Sequence, residues 1–513
     1  MGANQPPPFE NVNLFTSDLP LREAVSRAGV DAKDLAAFGA EYGSAETMEL
    51  GRLANENPPR LRAFEPNGER ADRVEFHPAW HALMRKSMTA GLHDSTGDVV
   101  ERAARLYMAT QIEAGHICPL TMTSAASAAL QAAPEILAAW SPYTTARDYD
   151  GAFRPWFTKK SATLGMGMTE RQSGTDVRAT ITEARPINGH YEITGHKWFL
   201  SAPMSDGFLV LAQAPGGLTC FLLPRFRPDR SVNGLRLQRL KDKLGNRSNA
   251  SAEVEFIGAY AERVGAEGEG VRTILNMVQL TRLDCAIAAA GQMRFGLALA
   301  VHHARHRLVF GRPLIEQPLM RAVLADLALS SEANTALVFR LARAHASPLD
   351  GAYARLMTPA VKYRVTKMAP AFIYETLECL GGNGYAEDFP MARLYREAPL
   401  NAIWEGSGNV MALDVLRVLR KGDSGVIDTL AGACGAPGKA AADEIRRLAS
   451  GEDAEAHARI TAERLARLGA LAALHEANGA LAEAYATRGA RGTWGACDLG
   501  ATQGLVRDRM VAL

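Results

Sequence analysis

Between about Asp31 and Trp140, apolar residues recur three and four positions apart. Asp98-Val99-Val100-Glu101 and the RAARLYMATQIEAG that follows show this spacing, which belongs to helices burying one face. Pro58-Pro59, Pro66-Asn67-Gly68 and His77-Pro78 cut this part into short elements. The period changes near Leu164. Asn188-Gly189 lies between ATITEARPI and HYEITGHKWFLSAP, and Pro215-Gly216-Gly217 joins FLVLAQA to LTCFLLPRF, so both read as hairpin turns between strands. After Gly265 the helical spacing returns in GVRTILNMVQLTRLDCAIAAAGQM, PLMRAVLADLALSSEANTALVFRLARAHA and TPAVKYRVTKMAPAFIYETLECLGG, which predict a bundle. A Gly and Pro cluster from Asp423 to Lys439 precedes an Ala- and Arg-rich stretch with Ile445, Leu448, Leu465, Leu468 and Leu471 at helical intervals.

Helices, then strands, then helices make an α+β chain with segregated layers rather than an alternating parallel sheet. The expected parts are an N-terminal helical domain at 1–163, a central β domain at 164–265, a helical bundle at 266–422 and a further helical segment at 423–513.

With 513 residues the chain has room for about three domains. Its 47% hydrophobic and 22% charged residues exclude collagen-like, disordered and coiled-coil classes. Lys plus Arg number 57 against 56 Asp plus Glu, so no global basic excess advertises a nucleic-acid binder, although a local patch fits inside a neutral total. Cysteines at 118, 220, 285, 379, 434 and 497 are too scattered for a CxxC pair and too sparse for a disulfide scaffold, which points to a reducing compartment. MGANQPPPFENVN lacks the basic flank and apolar run of a signal peptide, and no apolar stretch approaches the ~20 residues of a membrane span. A cytoplasmic protein without membrane partners is expected.

There is no complete GxGxxG, Walker A, GxSxG or HExxH motif. Three other stretches carry candidate chemistry. In Gly165 to Asp176, GMGMTERQSGTD, small residues let backbone N–H groups and the hydroxyls of Thr169 and Thr175 approach a planar or phosphate-bearing ligand; the alternative is a plain connector. In ECLGGNGYAEDFPMARLYRE, Gly381, Gly382 and Gly384 exceed the needs of a helix C-cap and leave amides free for a phosphate; the alternative is a tight turn. In IWEGSGNVM, Glu405 stands among apolar neighbours, which raises a carboxylate pKa toward that of a general base; a capping or salt-bridged Glu is the alternative. HHARHR, with His302, His303 and His306, reads as a solvated or cofactor-facing helix, and no metal is expected.

Taken in order, these stretches resemble the acyl-CoA dehydrogenase family: Thr-Glu-x-x-x-Gly-Thr-Asp, a Gly-Gly-x-Gly element with Arg393 and Glu397 downstream, and a glutamate at 405. The resemblance covers residues 1 to about 421. LGRLANENPPR, FHPAWHALM, EAGHICPLTMT, GHKWFLSAP, RLKDKLGNRSNAS and RLYREAPLNAIWEGSGN are similar to a branch of that family linked to the bacterial adaptive response to DNA alkylation.

The resemblance implies an N-terminal helical domain, a central β domain and a C-terminal four-helix bundle. It implies FAD with its ring system against Met166, Met168, Thr169, Gly174 and Thr175. Phe199 and Ser201 stand at the flanking aromatic and hydroxyl positions, where most relatives have Trp and Thr. Arg307, Phe310 and Gln317, with Gly381, Gly382 and Gly384, match positions that reach the FAD of a neighbouring subunit, so a dimer, and by family habit a dimer of dimers, is expected. Ser407 and Asn409 complete the cofactor-side loop.

Family chemistry takes a proton from the carbon beside a thioester carbonyl and passes hydride from the next carbon to flavin. Glu405 falls on the family's catalytic glutamate; some relatives place the base on the helix matching LTRLDCA, where this chain has Thr281. The implied function is a flavoprotein of the alkylation response, binding and protecting double-stranded DNA, with at most weak isovaleryl-CoA-like dehydrogenase activity. The alternative is a short- or branched-chain acyl-CoA dehydrogenase without a DNA role. From Gly422 to Leu513 there are 10 Lys plus Arg and 12 Asp plus Glu, a net of −2 and poor for phosphate neutralisation. DNA contacts would fall to Arg417, Arg420 and Lys421 on one helical face, with Arg446, Arg447, Arg459, Arg464 and Arg467; a solvated helix face is the alternative.

Overall fold

Pro66-Asn67-Gly68, which interrupts the N-terminal helical pattern, turns a hairpin: β1 (Arg60–Phe64) runs antiparallel to β2 (Arg70–Glu75), with Phe64 opposite Arg70. The N-terminal part is therefore not wholly helical. The computed structural model describes residues 4–423, 425–488, 494–496, 499–500 and 502–510, so Cys497 lies outside the described residues. The other five cysteines are buried and form no disulfide.

The chain divides into two compact units, one of residues 49–97 and 113–281, the other of residues 1–48, 98–112 and 282–513. The first unit holds the β domain: β3 (Leu164–Gly167), β4 (Glu183–Ile187), β5 (His190–Ser201), β6 (Gly207–Ala214), β7 (Gly217–Pro224), β8 (Leu235–Leu240) and β9 (Ser251–Val264). Asn188 and Gly189 take φ of 46° and 86°, the doubly left-handed turn that matches strand twist, and Ile187 faces His190 across the β4–β5 hairpin. The Pro215-Gly216 turn places Ala214 opposite Gly217 in the β6–β7 pair. β3 takes in Leu164 and the first three residues of GMGM and pairs in parallel with β6. Pairings β5–β9, β9–β7, β7–β6, β6–β3 and β3–β5 return to their start, so the sheet closes on itself. Ile193, Leu200, Phe208, Val210, Phe221, Leu237, Val254 and Phe256 fill its interior. The β1–β2 hairpin docks on β8 through the Asp72 carboxylate, which accepts the Leu237 N–H at 3.0 Å, and Arg70, which donates to the Leu237 carbonyl at 2.9 Å.

The second unit is helical. Its bundle is built on helices Gly270–His306 (from residue 282), Pro318–Ala346, Gly351–Cys379 and Gly408–Lys421. The first two are long and apolar enough to cross a membrane by length and composition, contrary to expectation, yet 89% of each apolar window is buried inside the fold, as core helices of a bundle require. Helix Ala458–Ala477 packs on the second, third and fourth bundle helices, so the segment after residue 422 belongs to the same unit.

Candidate active site

In the β unit the expected flavin residues gather along β3 and β5. Met166 stands opposite Ser201, and the Trp198 N–H donates to the Thr169 carbonyl at 2.8 Å. The loop after β3 is fixed from below by an ion pair that is wholly buried: Lys197 Nζ lies 2.6 Å from Glu170 Oε1 and also donates to the Leu211 carbonyl at 2.8 Å. Burial opposes the Glu170 charge, but Lys197, Thr182 and the Ile181 N–H outweigh it and pull the carboxyl down to about 2. On this base Met168 and Thr169 are half-buried, Gly174 and Thr175 are exposed, and the Phe199 ring is 46% exposed. Lys241 Nζ sits 3.5 Å above the Trp198 ring and 4.7 Å from the Phe199 ring centroid, a cation–π arrangement that orients both aromatics. Glu170, Lys197, Trp198 and Lys241 are not among the expected site residues, although the Thr-Glu motif holds Glu170, GHKWFLSAP holds Lys197 and Trp198, and RLKDKLGNRSNAS holds Lys241.

The adjoining EAGH and NRSN motifs serve packing. Ser87 Oγ is 2.8 Å from His116 Nε2, His116 Nδ1 is 2.7 Å from Glu113, and Glu113 accepts from Ser248 at 2.5 Å. This chain has the residue types of a hydrolytic triad, but all four residues are buried, so it ties two loops to helix Pro78–Thr89 rather than meeting a substrate.

In the helical unit Glu405 is half-buried and takes φ of 59°, a left-handed conformation uncommon for a residue with a side chain, and Gly406 follows at 100°. Two buried cations hold this turn. Arg282 donates to the Glu405 carbonyl at 3.1 Å and Lys362 to the Gly406 carbonyl at 2.8 Å. Arg282 is held in turn by Asp414 at 2.8 Å, which also accepts from Arg355 at 2.7 Å and Arg417 at 3.2 Å. Burial lowers the pKa of Lys362, while Cys285 and Glu405 nearby favour its charged form; burial pushes the Cys285 thiol well up. The next residues leave the turn: Ser407 is the N-cap of the fourth bundle helix without a side-chain capping bond, and it and Asn409 are exposed.

The expected shared-site residues form a second group. Arg307 leads into a two-residue hairpin, β10 (Leu308–Val309) and β11 (Arg312–Pro313), whose tip carries Phe310, 94% exposed at φ 51°. Gln317 braces that hairpin, donating to the Val309 carbonyl at 2.8 Å and accepting from Arg312 at 3.2 Å. In the glycine turn Gly381 sits at φ 58° and ψ −138°, open to glycine alone, and a Cβ on Gly384 would lie 2.2 Å from the Leu377 carbonyl. A Cβ on Gly382 would meet nothing within 4 Å among the described residues, so local geometry explains two of the three glycines.

These features fit FAD. Phe199 offers an exposed aromatic face and the buried Ser173 hydroxyl has no partner among the described residues. Exposed backbone at Gly381 and Gly382 suits phosphate. Among the described residues no His, Cys, Asp and Glu group could hold a metal ion; His302 instead donates to the Pro7 carbonyl at 2.8 Å.

The fourth bundle helix ends in exposed Arg417, Arg420 and Lys421, of which Arg417 leans on Asp414. Farther on, Arg446 pairs with Asp428 and Arg464 with Glu444, Arg459 bonds the Tyr363 hydroxyl, and Arg467 donates to the Tyr485 carbonyl.

Residues 4–151 match the AidB N-terminal domain, residues 165–258 the middle domain of acyl-CoA dehydrogenases and residues 268–420 their C-terminal domain. The chain is 51% identical to AidB of Escherichia coli (strain K12) over 441 residues, 83% of this chain and 81% of that protein. Among solved structures it resembles Caenorhabditis elegans ACDH-11 in complex with C11-CoA, with TM-score 0.85, 27% identity and coverage of 100% of this chain and 97% of that one. It also resembles the apo form of Bd2924, with TM-score 0.83, 29% identity and coverage of 92% and 99%. The chain belongs to the acyl-CoA dehydrogenase family as an AidB-type member, an FAD-dependent oxidoreductase acting on CH–CH bonds.

Proposed function

We propose that this enzyme oxidises an acyl-CoA thioester with Glu405 as the base. The observation that carries the reading is the Glu405 turn, a carboxylate residue in a left-handed conformation whose own carbonyl and the next are each held by a buried cation. Strain of this kind persists only where surrounding structure over-determines it, and it concentrates at reacting groups. Glu405 accepts the proton from the carbon beside the thioester carbonyl; Arg282 and Lys362 hold the turn so that the carboxylate does not swing away. FAD, which Met166, Met168, Thr169, Thr175, Phe199 and Ser201 would hold, would supply the hydride acceptor for the neighbouring carbon. The C11-CoA in the ACDH-11 complex supports an acyl-CoA as the substrate class. Glu405→Gln should keep its flavin and lose flavin bleaching by a panel of acyl-CoAs, because an amide cannot take the proton; retained bleaching would move the base elsewhere.

Arg307 and the glycine turn, beside exposed Phe310, Leu319 and Tyr385, serve the FAD of a second copy in this reading, which makes the working form a dimer or a dimer of dimers. The five buried cysteines outside any disulfide suit the cytoplasm.

A second reading, a role in the response to DNA alkylation, is favoured by the AidB-type N-terminal domain and by three exposed cations at the end of the fourth bundle helix. The Arg446 and Arg464 pairings leave that helix end as the best phosphate contact, so binding to duplex DNA is weak and salt-sensitive. A mobility-shift titration at 50 mM salt tests it, and no shift would remove the DNA role.

A further inference from the structure

The stretch NQPPPF at residues 4–9 is absorbed by none of the chemistry above, yet it lies across both elements assigned to the shared cofactor site. Asn4 meets Leu308 as a neighbouring strand would: its side-chain oxygen accepts the Leu308 N–H at 2.8 Å and its amide donates to the Leu308 carbonyl at 3.0 Å. The need is local. Leu308 faces Pro313 at a non-hydrogen-bonded rung of the β10–β11 hairpin, next to the rung where the Leu314 N–H donates to the Arg307 carbonyl at 2.8 Å. Its own N–H and carbonyl therefore point outward, and Asn4 satisfies both. The Asn4 backbone carbonyl meanwhile accepts from Arg307 at 2.6 Å. One residue later, the Gln5 side-chain oxygen accepts from the Asn383 amide at 2.9 Å, inside the glycine turn. Pro6, Pro7 and Pro8 follow with φ restricted by their rings, so this stretch is stiff. Its far end is anchored where His302 donates to the Pro7 carbonyl and where the Phe9 ring meets Phe295 and His302 edge-on at 6.0 and 5.2 Å.

We infer that residues 4–9 are a brace of the shared cofactor site, anchored by Phe9 and tying Arg307 to the Gly381–Gly384 turn so that both meet one phosphate-bearing cofactor in register. The inference rests on the reading that Arg307 and the glycine turn contact FAD. Asn4, Gln5 and Phe9 are positioning residues in it, acting through Arg307 and Asn383. Phosphate recognition needs its donors placed before the ligand arrives, and two donors on separate elements have no shared backbone to place them. Asn4 and Gln5, adjacent in the chain, supply that connection.

The test uses full-length holoenzyme carrying Asn4→Ala, Phe9→Ala or Arg307→Ala. Flavin-to-protein ratio is read by absorbance, flavin release by the rise of free-flavin fluorescence after dilution, and the fold by circular-dichroism melting of the apoprotein. Asn4→Ala and Phe9→Ala should each release flavin about tenfold faster, the scale of about 1.4 kcal/mol, with apoprotein melting unchanged. Asn4→Ala should add little in an Arg307→Ala background, because both act on one contact. If Arg307→Ala loses flavin while Asn4→Ala and Phe9→Ala hold it like the parent, the brace is wrong and the cofactor reading stands. If Arg307→Ala itself holds flavin normally, that reading fails and takes the brace with it. Slower release from Asn4→Ala would make the segment a competitor of the cofactor and overturn the inference.

Discussion

Replacing Lys362 by Met isolates what the buried cation does for Glu405. The side chains are similar in volume, Lys362 is wholly buried, and Met removes an ammonium whose burial is costly, so global stability should change little. What disappears is the 2.8 Å bond to the Gly406 carbonyl. A hydrogen bond from a charged donor contributes about 1.5–3 kcal/mol. It opposes a left-handed turn at Glu405 and Gly406 that costs about 1–3 kcal/mol at its non-glycine member. The two magnitudes are similar, so without Lys362 the turn relaxes for a large share of the time and the carboxylate leaves its reactive position. At ~1.4 kcal/mol per tenfold, kcat for flavin reduction should fall about 10- to 100-fold, with flavin content unchanged.

Charge adds a second signature. Lys362 and Glu405 interact electrostatically, so removing the cation disfavours the carboxylate. The base works ionised and rate is lost as pH falls through its pKa, so the acidic limb of the kcat profile should move to higher pH. Stopped-flow reduction by an acyl-CoA across pH 5 to 9 reads both effects. An unchanged kcat would refute the idea that Lys362 holds the turn; a lowered kcat with an unmoved limb would leave Lys362 as hydrogen-bond donor only.

Glu170→Gln leaves Lys197 buried without its counter-charge, so the variant should lose about 3–5 kcal/mol of stability in urea titration and much of its flavin. The Glu170 pKa is depressed to about 2 from an ordinary value near 4.3, so the ion pair stabilises the parent fully above pH ~5 and fades as pH falls through that window. The variant's stability should therefore decline less steeply over pH 5 to 2, and parallel curves would count against the pair. Arg307→Glu puts a carboxylate beside the proposed phosphate contact and should weaken flavin retention and dimerisation together; a monomer by ultracentrifugation that keeps its flavin would end the shared-site reading. Arg417→Ala, Arg420→Ala and Lys421→Ala combined should flatten a logarithmic salt slope near −3 per bound subunit and leave flavin untouched, whereas a triple variant that binds duplex DNA like the parent would place the contact elsewhere.

What the chain discloses in one dimension depends on whether its reason is local. Asn188-Gly189 is readable because the turn that needs left-handed residues is the dipeptide itself, and the register of β4 and β5 follows. The β1–β2 hairpin hides for the opposite reason. RLRAF and RADRVE carry arginines at 60, 62, 70 and 73 with no clean alternation of apolar and polar positions, and what stabilises them is the Asp72 and Arg70 contact with Leu237, some 165 residues away. Glu405 was visible as a carboxylate between Trp404 and Gly406, but its conformation was not, because the groups enforcing it come from Arg282 and Lys362 on other helices. In TPAVKYRVTK the buried lysine looks like any polar residue on a helix, and only the Gly406 carbonyl explains why it is there. Gly381, Gly382 and Gly384 show the same division inside one motif. Backbone conformation accounts for Gly381 and contact with Leu377 for Gly384, both internal to the chain. Gly382 has open space where its side chain would be, so nothing among the described residues calls for glycine there. Gly97, Gly351, Gly432, Gly479 and Gly504 have the same open space, so Gly382 stands out only by its place between Gly381 and Gly384, and the case for a phosphate there comes from the motif and not from the local geometry of that residue.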